Sequence, residues 1–230
     1  MNRIHPTAVV DPTVTLGEGN VVGPYAVILG DTKIGDNNWI GPHAAIGTPA
    51  QMKGGVHPAT WEGEPTAGRV VIGSGNVIRE FSTVHASTTG LTSIADDCYF
   101  MTQAHVPHDA TIEDGVTLSN SAQLGGHTII QSGANIGLGA VIHQRTVVGT
   151  RVMVGMGTVV TKDVPPFAMF FGSPGRVRGG NIVGMERGGF NSDTASLIAG
   201  ALADGDLDRV TQLAPTEMKR YLDAVARLNP

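Results

Sequence analysis

The sequence predicts an all-β solenoid, a parallel β-helix of six-residue repeats, followed by a short α-helical extension. Two series of apolar residues step by six positions, one from Ile4 to Ile46 and one, without exception, from Ile94 to Val160. Small residues, mainly glycine, follow many of these positions and suit tight corners. Neither a helix nor a free strand requires a period of six. A short-repeat solenoid does, because each repeat supplies one flat face and one inward side chain.

The β-helix is expected to span residues 1–167, with a loop inserted at 48–70. Proline and glycine are frequent in that stretch, and the six-residue step is lost there. A slip of four residues follows Val84, and Pro165-Pro166 ends the long run. Three six-residue faces per turn predict an 18-residue coil. Successive coils should lie about 4.8 Å apart, as neighbouring strands do.

After the solenoid the pattern changes twice. Residues 168–190 are rich in glycine and are expected to form an irregular segment. Residues 191–230 are expected to be helical, with Gly205 as a stop and Pro215 opening a last helix. The apolar stripes of these helices predict packing against the solenoid or against a neighbouring subunit.

Composition and charge exclude several classes of protein. The net charge is −5 with no long run of either sign, so a nucleic-acid surface is not expected. The single Cys98 cannot form an internal disulfide, which suits a reducing compartment. No apolar signal core and no stretch of about 18 apolar residues is present, so we expect a cytoplasmic protein without an integral membrane segment.

Most of the eight histidines lie near one stretch of the predicted solenoid, at His85, His105, His108, His127 and His143. A step of one coil leads from His108 to Gly126, and a second step leads to Gln144. These three residues should therefore form one column. The same steps predict a second column beside it, formed by Asp109, His127 and Arg145.

The first column has the composition of a site for general-base chemistry. His108 can remove a proton at neutral pH, and a neighbouring Asp109 can orient its imidazole. The uncovered backbone N–H of Gly126 can donate to an oxyanion, and Gln144 can hold a substrate hydroxyl or carbonyl. No serine or cysteine stands beside His108 as a nucleophile. Direct attack of a bound acceptor on a thioester is therefore expected, without a covalent intermediate.

Longer motifs surround these residues: Ala104-His105-Val106-Pro107-His108-Asp109, Leu124-Gly125-Gly126-His127, His143-Gln144, Lys162-Asp163-Val164-Pro165-Pro166, Gly63-Glu64-Pro65-Thr66 and Asn181 to Phe190. Over residues 1–192 they resemble the UDP-N-acetylglucosamine O-acyltransferases of lipid A synthesis. The resemblance implies a left-handed coil and a homotrimer with its clefts between subunits. It also implies transfer of a (3-hydroxy)acyl chain from acyl carrier protein to the sugar 3-position, with no other cofactor and no metal.

The same resemblance assigns roles to the columns. It implies that His108 is the general base, that Asp109 is its orienting partner and that the N–H of Gly126 stabilises the oxyanion. Three further residues would contact the sugar or its acyl group: His127, His143 and Gln144.

Residues outside the columns also match positions of the family that bind substrate. His105 and Lys53 would line the cleft, and His85 would lie near the phosphates. Asn181 and Arg187, in the segment after the solenoid, would help to hold the nucleotide.

Among the positions that depart from the family pattern, four bear on the choice of acyl chain and acceptor. Leu138 and Met156 replace glycines of the long-chain members and should lie on adjacent coils. We therefore expect these two side chains to limit acyl-chain length and favour a shorter chain. Val183 and Gly188 replace a glutamate and a basic residue near the nucleotide. A close analogue of UDP-N-acetylglucosamine therefore remains open as the acceptor, as does N-acylation in place of O-acylation.

Three alternatives use the same solenoid. One is an acetyltransferase that acts on another nucleotide amino sugar with coenzyme A as donor. Another is a metalloenzyme of the γ-carbonic-anhydrase type, which needs three histidines converging on one metal. His105 and His108 are expected to point to different places, which does not favour that site. The third is a catalytically silent scaffold, in which Asp109 would have no purpose.

Overall fold

Three flat parallel sheets form the walls of a solenoid that is triangular in section. The computed structural model describes residues 1–58 and 68–228. The ten strands of sheet A are β1 (Arg3–Ile4), β4 (Val21–Val22), β7 (Trp39–Ile40), β10 (Val77–Ile78), β13 (Tyr99–Phe100), β16 (Thr117–Leu118), β19 (Asn135–Ile136), β22 (Met153–Val154), β24 (Ala168–Gly172) and β25 (Gly175–Gly180).

Sheets B and C complete each coil. The eight strands of sheet B are β2 (Val9–Val10), β5 (Val27–Ile28), β8 (Ala45–Thr48), β11 (Thr83–His85), β14 (His105–Val106), β17 (Gln123–Leu124), β20 (Val141–Ile142) and β23 (Val159–Val160). The seven strands of sheet C are β3 (Thr15–Leu16), β6 (Asp31–Ile34), β9 (Arg69–Ile72), β12 (Thr92–Ile94), β15 (Thr111–Ile112), β18 (Ile129–Ile130) and β21 (Val147–Val148).

The apolar hexad residues form the core. The second residue of each two-residue strand points inward, so that Phe100, Leu118 and Ile136 stack on one another and are fully buried. The first residue points outward, and backbone hydrogen bonds join each coil to the next. The alternation of the short strands thus produces one thin apolar column per sheet.

The register between coils is 18 residues wherever the hexads are unbroken, as for Thr117 and Asn135. It is 22 residues across the four-residue slip, where Thr83 pairs with His105. The inserted loop gives a register of 38 residues, since Trp39 pairs with Val77. The strands on either side of both interruptions therefore still pair and stack.

Three corners join the sheets, and we name them by the sheets they connect. In the coils that follow the four-residue slip, the AB corner comprises 101–104, 119–122, 137–140 and 155–158. The BC corner comprises 107–110, 125–128 and 143–146. The CA corner comprises 95–98, 113–116, 131–134 and 149–152.

Residues 168–190 are ordered, and the prediction of an irregular segment was wrong. Strands β24 and β25 form an antiparallel hairpin that extends sheet A beyond β22. A short helix, α1 (Ile182–Arg187), follows the hairpin. The glycines mark close packing, since a Cβ on Gly175 would lie 2.1 Å from the Phe170 ring and one on Gly180 would lie 2.6 Å from Ala199 Cα. The high glycine content therefore suggested an irregular segment where the structure has two strands.

The C-terminal helices lie where their apolar stripes predicted. They are α2 (Ser192–Asp204), α3 (Leu207–Leu213) and α4 (Pro215–Leu228). Gly205 ends α2 in the left-handed conformation, with φ 74°. Helix α4 lies against β21, where the outward side chain of Val147 is buried, and Arg220 forms an ion pair with Glu113. None of the helices in the described part of the chain has the length and apolarity needed to cross a membrane.

Candidate active site

His108 and Gly126 lie on adjacent coils of the BC corner, as the 18-residue step predicts. The backbone N–H of His127 donates to the His108 carbonyl at 3.1 Å, and that of Arg145 donates to the Gly126 carbonyl at 2.9 Å. A Cβ on Gly126 would lie 2.6 Å from Cε1 and 2.8 Å from Nε2 of His108. The imidazole therefore occupies the space that a side chain at position 126 would need.

The third residue of the column, Gln144, continues the stack through its backbone. A Cβ on Gly125 would lie 2.4 Å from the Gln144 nitrogen, so the two coils are in close contact. The Gln144 side chain is exposed, and its carboxamide has no hydrogen-bond partner among residues 1–58 and 68–228. It is therefore free to bind a ligand.

Asp109 fixes the tautomer of His108. Its Oδ2 lies 2.9 Å from His108 Nδ1, and only 8% of its side chain is exposed. Burial opposes ionisation, but hydrogen bonds from Thr88, His108 and Gly90 outweigh burial and lower the pKa of Asp109 to about 2. The carboxylate is therefore ionised at neutral pH, and it accepts from Nδ1–H. This leaves Nε2 of His108 as the basic nitrogen.

Two groups at this corner, His108 Nε2 and the backbone N–H of Gly126, are available to a substrate. Within the described residues, no group hydrogen-bonds to His108 Nε2 and none accepts from the backbone N–H of Gly126. His127 lies next to them, with its ring edge-on to that of His108 at 5.2 Å between centroids. Burial lowers the pKa of His127, although Asp109 opposes that shift. The site thus offers an acceptor, a donor and a second imidazole.

His85 and His105 form a second histidine pair above this site. Their rings meet edge-on at 4.8 Å, and His105 Nδ1 lies 2.8 Å from the Thr83 hydroxyl. Burial and the neighbouring histidines lower the pKa of His85 to about 4, and the pKa of His105 is lowered by the same causes. Both rings are therefore neutral at physiological pH. The buried Nδ1 of His85 has no partner among the described residues.

His143 and Lys53 are exposed. His143 Nδ1 lies 3.0 Å from the Gln144 carbonyl at the BC corner, one coil below Gly125. Lys53 follows Met52, which lines a cavity of about 270 Å³ together with Ser87 and Thr88. The Gly63-Glu64-Pro65-Thr66 motif of the same loop lies outside the described residues.

Asn181 and Arg187 lie far along the chain from the histidines, near the CA corner. The Asn181 carboxamide donates to the Arg151 carbonyl at 2.8 Å and accepts from Gly184 N at 3.0 Å, so it caps α1. Arg187 is exposed in the last turn of that helix. No contact joins either side chain to the histidine cluster within the described parts of the chain.

Leu138 and Met156 occupy the AB corner. Gly157 N donates to the Leu138 carbonyl at 2.8 Å, so the two residues lie on adjacent coils as predicted. They are 48% and 75% exposed. The width of sheet B separates them from the His108 corner of the same chain.

Sequence reasoning missed four residues that shape these sites. Thr88, Gly90 and Thr92 hold Asp109, and the four-residue slip was the only signal for them. The fourth is Arg151, whose Nε lies 2.3 Å from where a Cβ of Gly188 would stand. The guanidinium of Arg151, from the CA corner, therefore lies beside Gly188.

The residues could also hold a metal ion. His108, Asp109 and His127 each offer a ligand atom, and these atoms lie within 4.8 Å of one another. His105 does not belong to this group, since its Nδ1 bonds Thr83 and its ring faces His85. The set would therefore be two imidazoles and one carboxylate, in place of the three histidines of the γ-carbonic-anhydrase type.

A histidine–aspartate pair at the corner of a three-sided, left-handed parallel β-helix defines a class, the hexapeptide-repeat acyltransferases. Residues 163–203 match the family model described as UDP N-acetylglucosamine O-acyltransferase, domain 2. A Paraburkholderia xenovorans protein named acyl-[acyl-carrier-protein]–UDP-N-acetylglucosamine O-acyltransferase is 44% identical, across 87% of this chain and 82% of its own length. A Paraburkholderia phymatum relative of the same name is 38% identical over the same shares.

A solved structure agrees with these relatives. UDP-N-acetylglucosamine acyltransferase from Arabidopsis superposes with a TM-score of 0.69 and 26% identity, covering 98% of this chain and 94% of that one. The chain belongs to the acyl-[acyl-carrier-protein]–UDP-N-acetylglucosamine O-acyltransferase family. It is an enzyme, so the silent-scaffold alternative is wrong.

Proposed function

We propose that this protein transfers a (3-hydroxy)acyl chain from acyl carrier protein to the 3-hydroxyl of UDP-N-acetylglucosamine or a close analogue. The names of the relatives support the substrates. The observation that carries the chemistry is the His108–Asp109 pair, with Nε2 of His108 open above the N–H of Gly126.

The proposed reaction proceeds without an acyl-enzyme. His108 Nε2 takes the proton of the sugar hydroxyl while its oxygen attacks the thioester carbonyl and forms the new C–O bond. The negative charge on the carbonyl oxygen is stabilised by the Gly126 N–H, and that on Asp109 stabilises the imidazolium. The C–S bond then breaks, and the imidazolium returns the proton to the leaving thiolate. The products are the sugar ester and the free thiol of the carrier.

The surrounding side chains provide the substrate contacts in this proposal. His127, His143 and Gln144 contact the sugar or its acyl group, while His105 and Lys53 line the cleft and His85 lies towards the phosphates. Two observations support this arrangement. The Gln144 carboxamide has no partner among the described residues, and the imidazoles of His85 and His105 are neutral. No cofactor is required, because the carrier protein delivers the activated acyl group.

A homotrimer with clefts between subunits is part of this proposal, and the positions of the corners support it. The base lies at the BC corner, Asn181 and Arg187 lie near the CA corner, and Leu138 and Met156 lie at the AB corner. Within one chain these residues therefore lie at three different corners of the solenoid. A neighbouring copy can present its own corner to the His108 corner, which would complete the site.

A shorter acyl chain is proposed because Leu138 and Met156 project into solvent where glycines would leave backbone exposed. Wild-type protein is incubated with UDP-N-acetylglucosamine and acyl carrier protein thioesters of graded length, and the product is identified by mass spectrometry. We expect a 3-O-acylated sugar nucleotide and a preference for the shorter chains. The absence of any acylated sugar would refute the function, and a preference for the longest chain would refute only the proposed limit on length.

One observation favours a second candidate, a metal-dependent hydrolase or hydratase: the His108, Asp109 and His127 ligand atoms within 4.8 Å of one another. Elemental analysis of purified protein separates the two functions. One tightly held zinc or iron per subunit, together with loss of activity on chelation, would favour the metalloenzyme. The acyltransferase proposal predicts full transferase activity after chelation.

A further inference from the structure

The carboxylate of Asp109 is held by a short loop that interrupts the solenoid one coil above it. This slip loop, residues 86–91, lies between β11 and β12. The hydroxyl of Thr88 donates to Asp109 Oδ2 at 2.7 Å, and the Thr88 N–H lies 3.1 Å and 3.2 Å from the two carboxylate oxygens. Gly90 N donates to Oδ1 at 3.3 Å. The loop therefore supplies hydrogen-bond donors to both oxygens of the carboxylate.

The slip loop has its own internal support. The Ser87 hydroxyl donates to the Gly90 carbonyl at 2.9 Å and accepts from Arg69 N at 3.0 Å. Ser87 is also buried. The slip loop is thus anchored by hydrogen bonds that do not involve Asp109.

The backbone of Asp109 also depends on this interruption. Asp109, His127 and Arg145 occupy equivalent corner positions, with φ values of 58°, 61° and 55°. The N–H of His127 and that of Arg145 donate to carbonyls of the preceding coil. The N–H of Asp109 instead donates to the Thr92 hydroxyl at 2.8 Å. Among these three corners, only that of Asp109 is held through side chains supplied after a change of register.

We propose that Thr88 is a positioning residue for acyl transfer and that it acts through Asp109. The inference rests on the proposed function, since it requires His108 to be the base. Thr88 Oγ1 and His108 Nδ1 both donate to Oδ2 of Asp109. The hydroxyl therefore fixes the direction of the oxygen that orients the imidazole. Without it, the carboxylate can turn away from Nδ1, and Nε2 no longer faces the acceptor with its lone pair.

The test uses Thr88→Val, which keeps the shape of the side chain and removes the donor. We expect kcat to fall about 10-fold to 100-fold, as for loss of a hydrogen bond to a charged group. KM and the melting temperature should change little. Thr88→Ser restores the hydroxyl and should recover most of kcat. Thr111→Val is the matched control, because Thr111 lies on the next strand and its hydroxyl has no partner among the described residues.

A double-mutant cycle shows whether Thr88 acts through the carboxylate. In an Asp109→Asn background, Thr88→Val should lower kcat less than twofold further, because the oriented carboxylate is already lost. A full additional loss in that background, or a wild-type kcat in Thr88→Val alone, would overturn the inference. Its failure differs from failure of the proposed function, which would appear as retained activity in His108→Ala.

Discussion

Gly126 is required by the ring above it. A Cβ at this position would lie within 2.8 Å of two ring atoms of His108, in the orientation in which the ring contacts Asp109. The space at Gly126 therefore sets the position of the base. This requirement is steric, and it adds to the role of the Gly126 N–H towards the oxyanion.

We predict that Gly126→Ala lowers kcat by about 100-fold, because a displacement of about 1 Å at the base is enough for that loss. The control is Gly200→Ala, since Gly200 lies in α2 and a Cβ there meets no atom within 4 Å. Steady-state kinetics and circular dichroism of both variants provide the measurement. Activity of Gly126→Ala within threefold of wild type would contradict the account of the column.

His85 makes the fold sensitive to acid. Its pKa is about 4 in the folded protein, against an ordinary value of 6.5, so the unfolded chain takes up a proton first as the pH falls. The free energy of unfolding is unaffected by His85 above about pH 6.5, and it declines as the pH falls from there to about 4. At pH 5 this one residue should reduce the free energy of unfolding by about 2 kcal/mol.

The matched variant is His85→Gln, which has no titrating group at this position. Urea unfolding at pH 7 and pH 5, at one protein concentration, gives the free energy at each pH. We predict that the loss between the two values is about 2 kcal/mol smaller in His85→Gln. Equal losses in the two proteins would show that the buried ring does not resist protonation.

The columns could be predicted from the sequence, because unbroken hexads fix an 18-residue register. The residues around Asp109 could not. The slip places Thr88 a step of 21 residues from Asp109, and no 18-residue step reaches it. Arg151 was missed for a related reason, since its neighbour Gly188 caps the C-terminus of α1, outside the repeats.

Among the elements, α4 has the clearest structural role. It closes the outer face of sheet C near β21, and it buries Met218 to 2% exposure while Leu222 on the same helix is 52% exposed. The apolar stripe of α4 therefore stabilises the chain by packing on the solenoid. This outcome is one of the two that the sequence predicted.

We predict that Met218→Ala lowers the free energy of unfolding by about 2 to 5 kcal/mol, through lost burial and the cavity left behind. Leu222→Ala serves as the control, and its effect should stay below about 1 kcal/mol. Urea unfolding followed by circular dichroism measures both. Similar small effects for the two variants would mean that α4 does not pack in this way.

The elements themselves were predictable to different degrees. Each solenoid strand contains an inward apolar residue at a fixed step, so the sequence predicts where these strands lie. The hairpin of β24 and β25 has no such step, and its glycines suggest turns when they in fact allow the contact with Phe170 and Ala199. In this hairpin, the low strand propensity of glycine was outweighed by tertiary packing.

At the scale of the whole molecule, the three corners separate the proposed site residues of one chain. His108 lies at the BC corner and Arg187 near the CA corner. If both contribute to one cleft, they come from different subunits. The sequence could suggest the trimer only through family resemblance, because the hexads describe stacking within one chain and contain no information on contacts between chains.

Complementation tests this arrangement. His108→Ala and Arg187→Ala chains are each expected to be nearly inactive, and in the proposed homotrimer co-expressed chains should assemble into mixed trimers. With random mixing, about one quarter of the clefts would receive both intact residues. We therefore predict recovery of about a quarter of wild-type activity in the mixture. No recovery, with mixed trimers verified by mass spectrometry, would place both residues in the same cleft of one chain.

The proposed acyl transfer depends on His108 as the base. The most direct measurement is kcat of His108→Gln with UDP-N-acetylglucosamine and an acyl carrier protein thioester, both at saturation. We expect a loss of at least about 100-fold with KM and melting temperature unchanged. A kcat within threefold of wild type would contradict it.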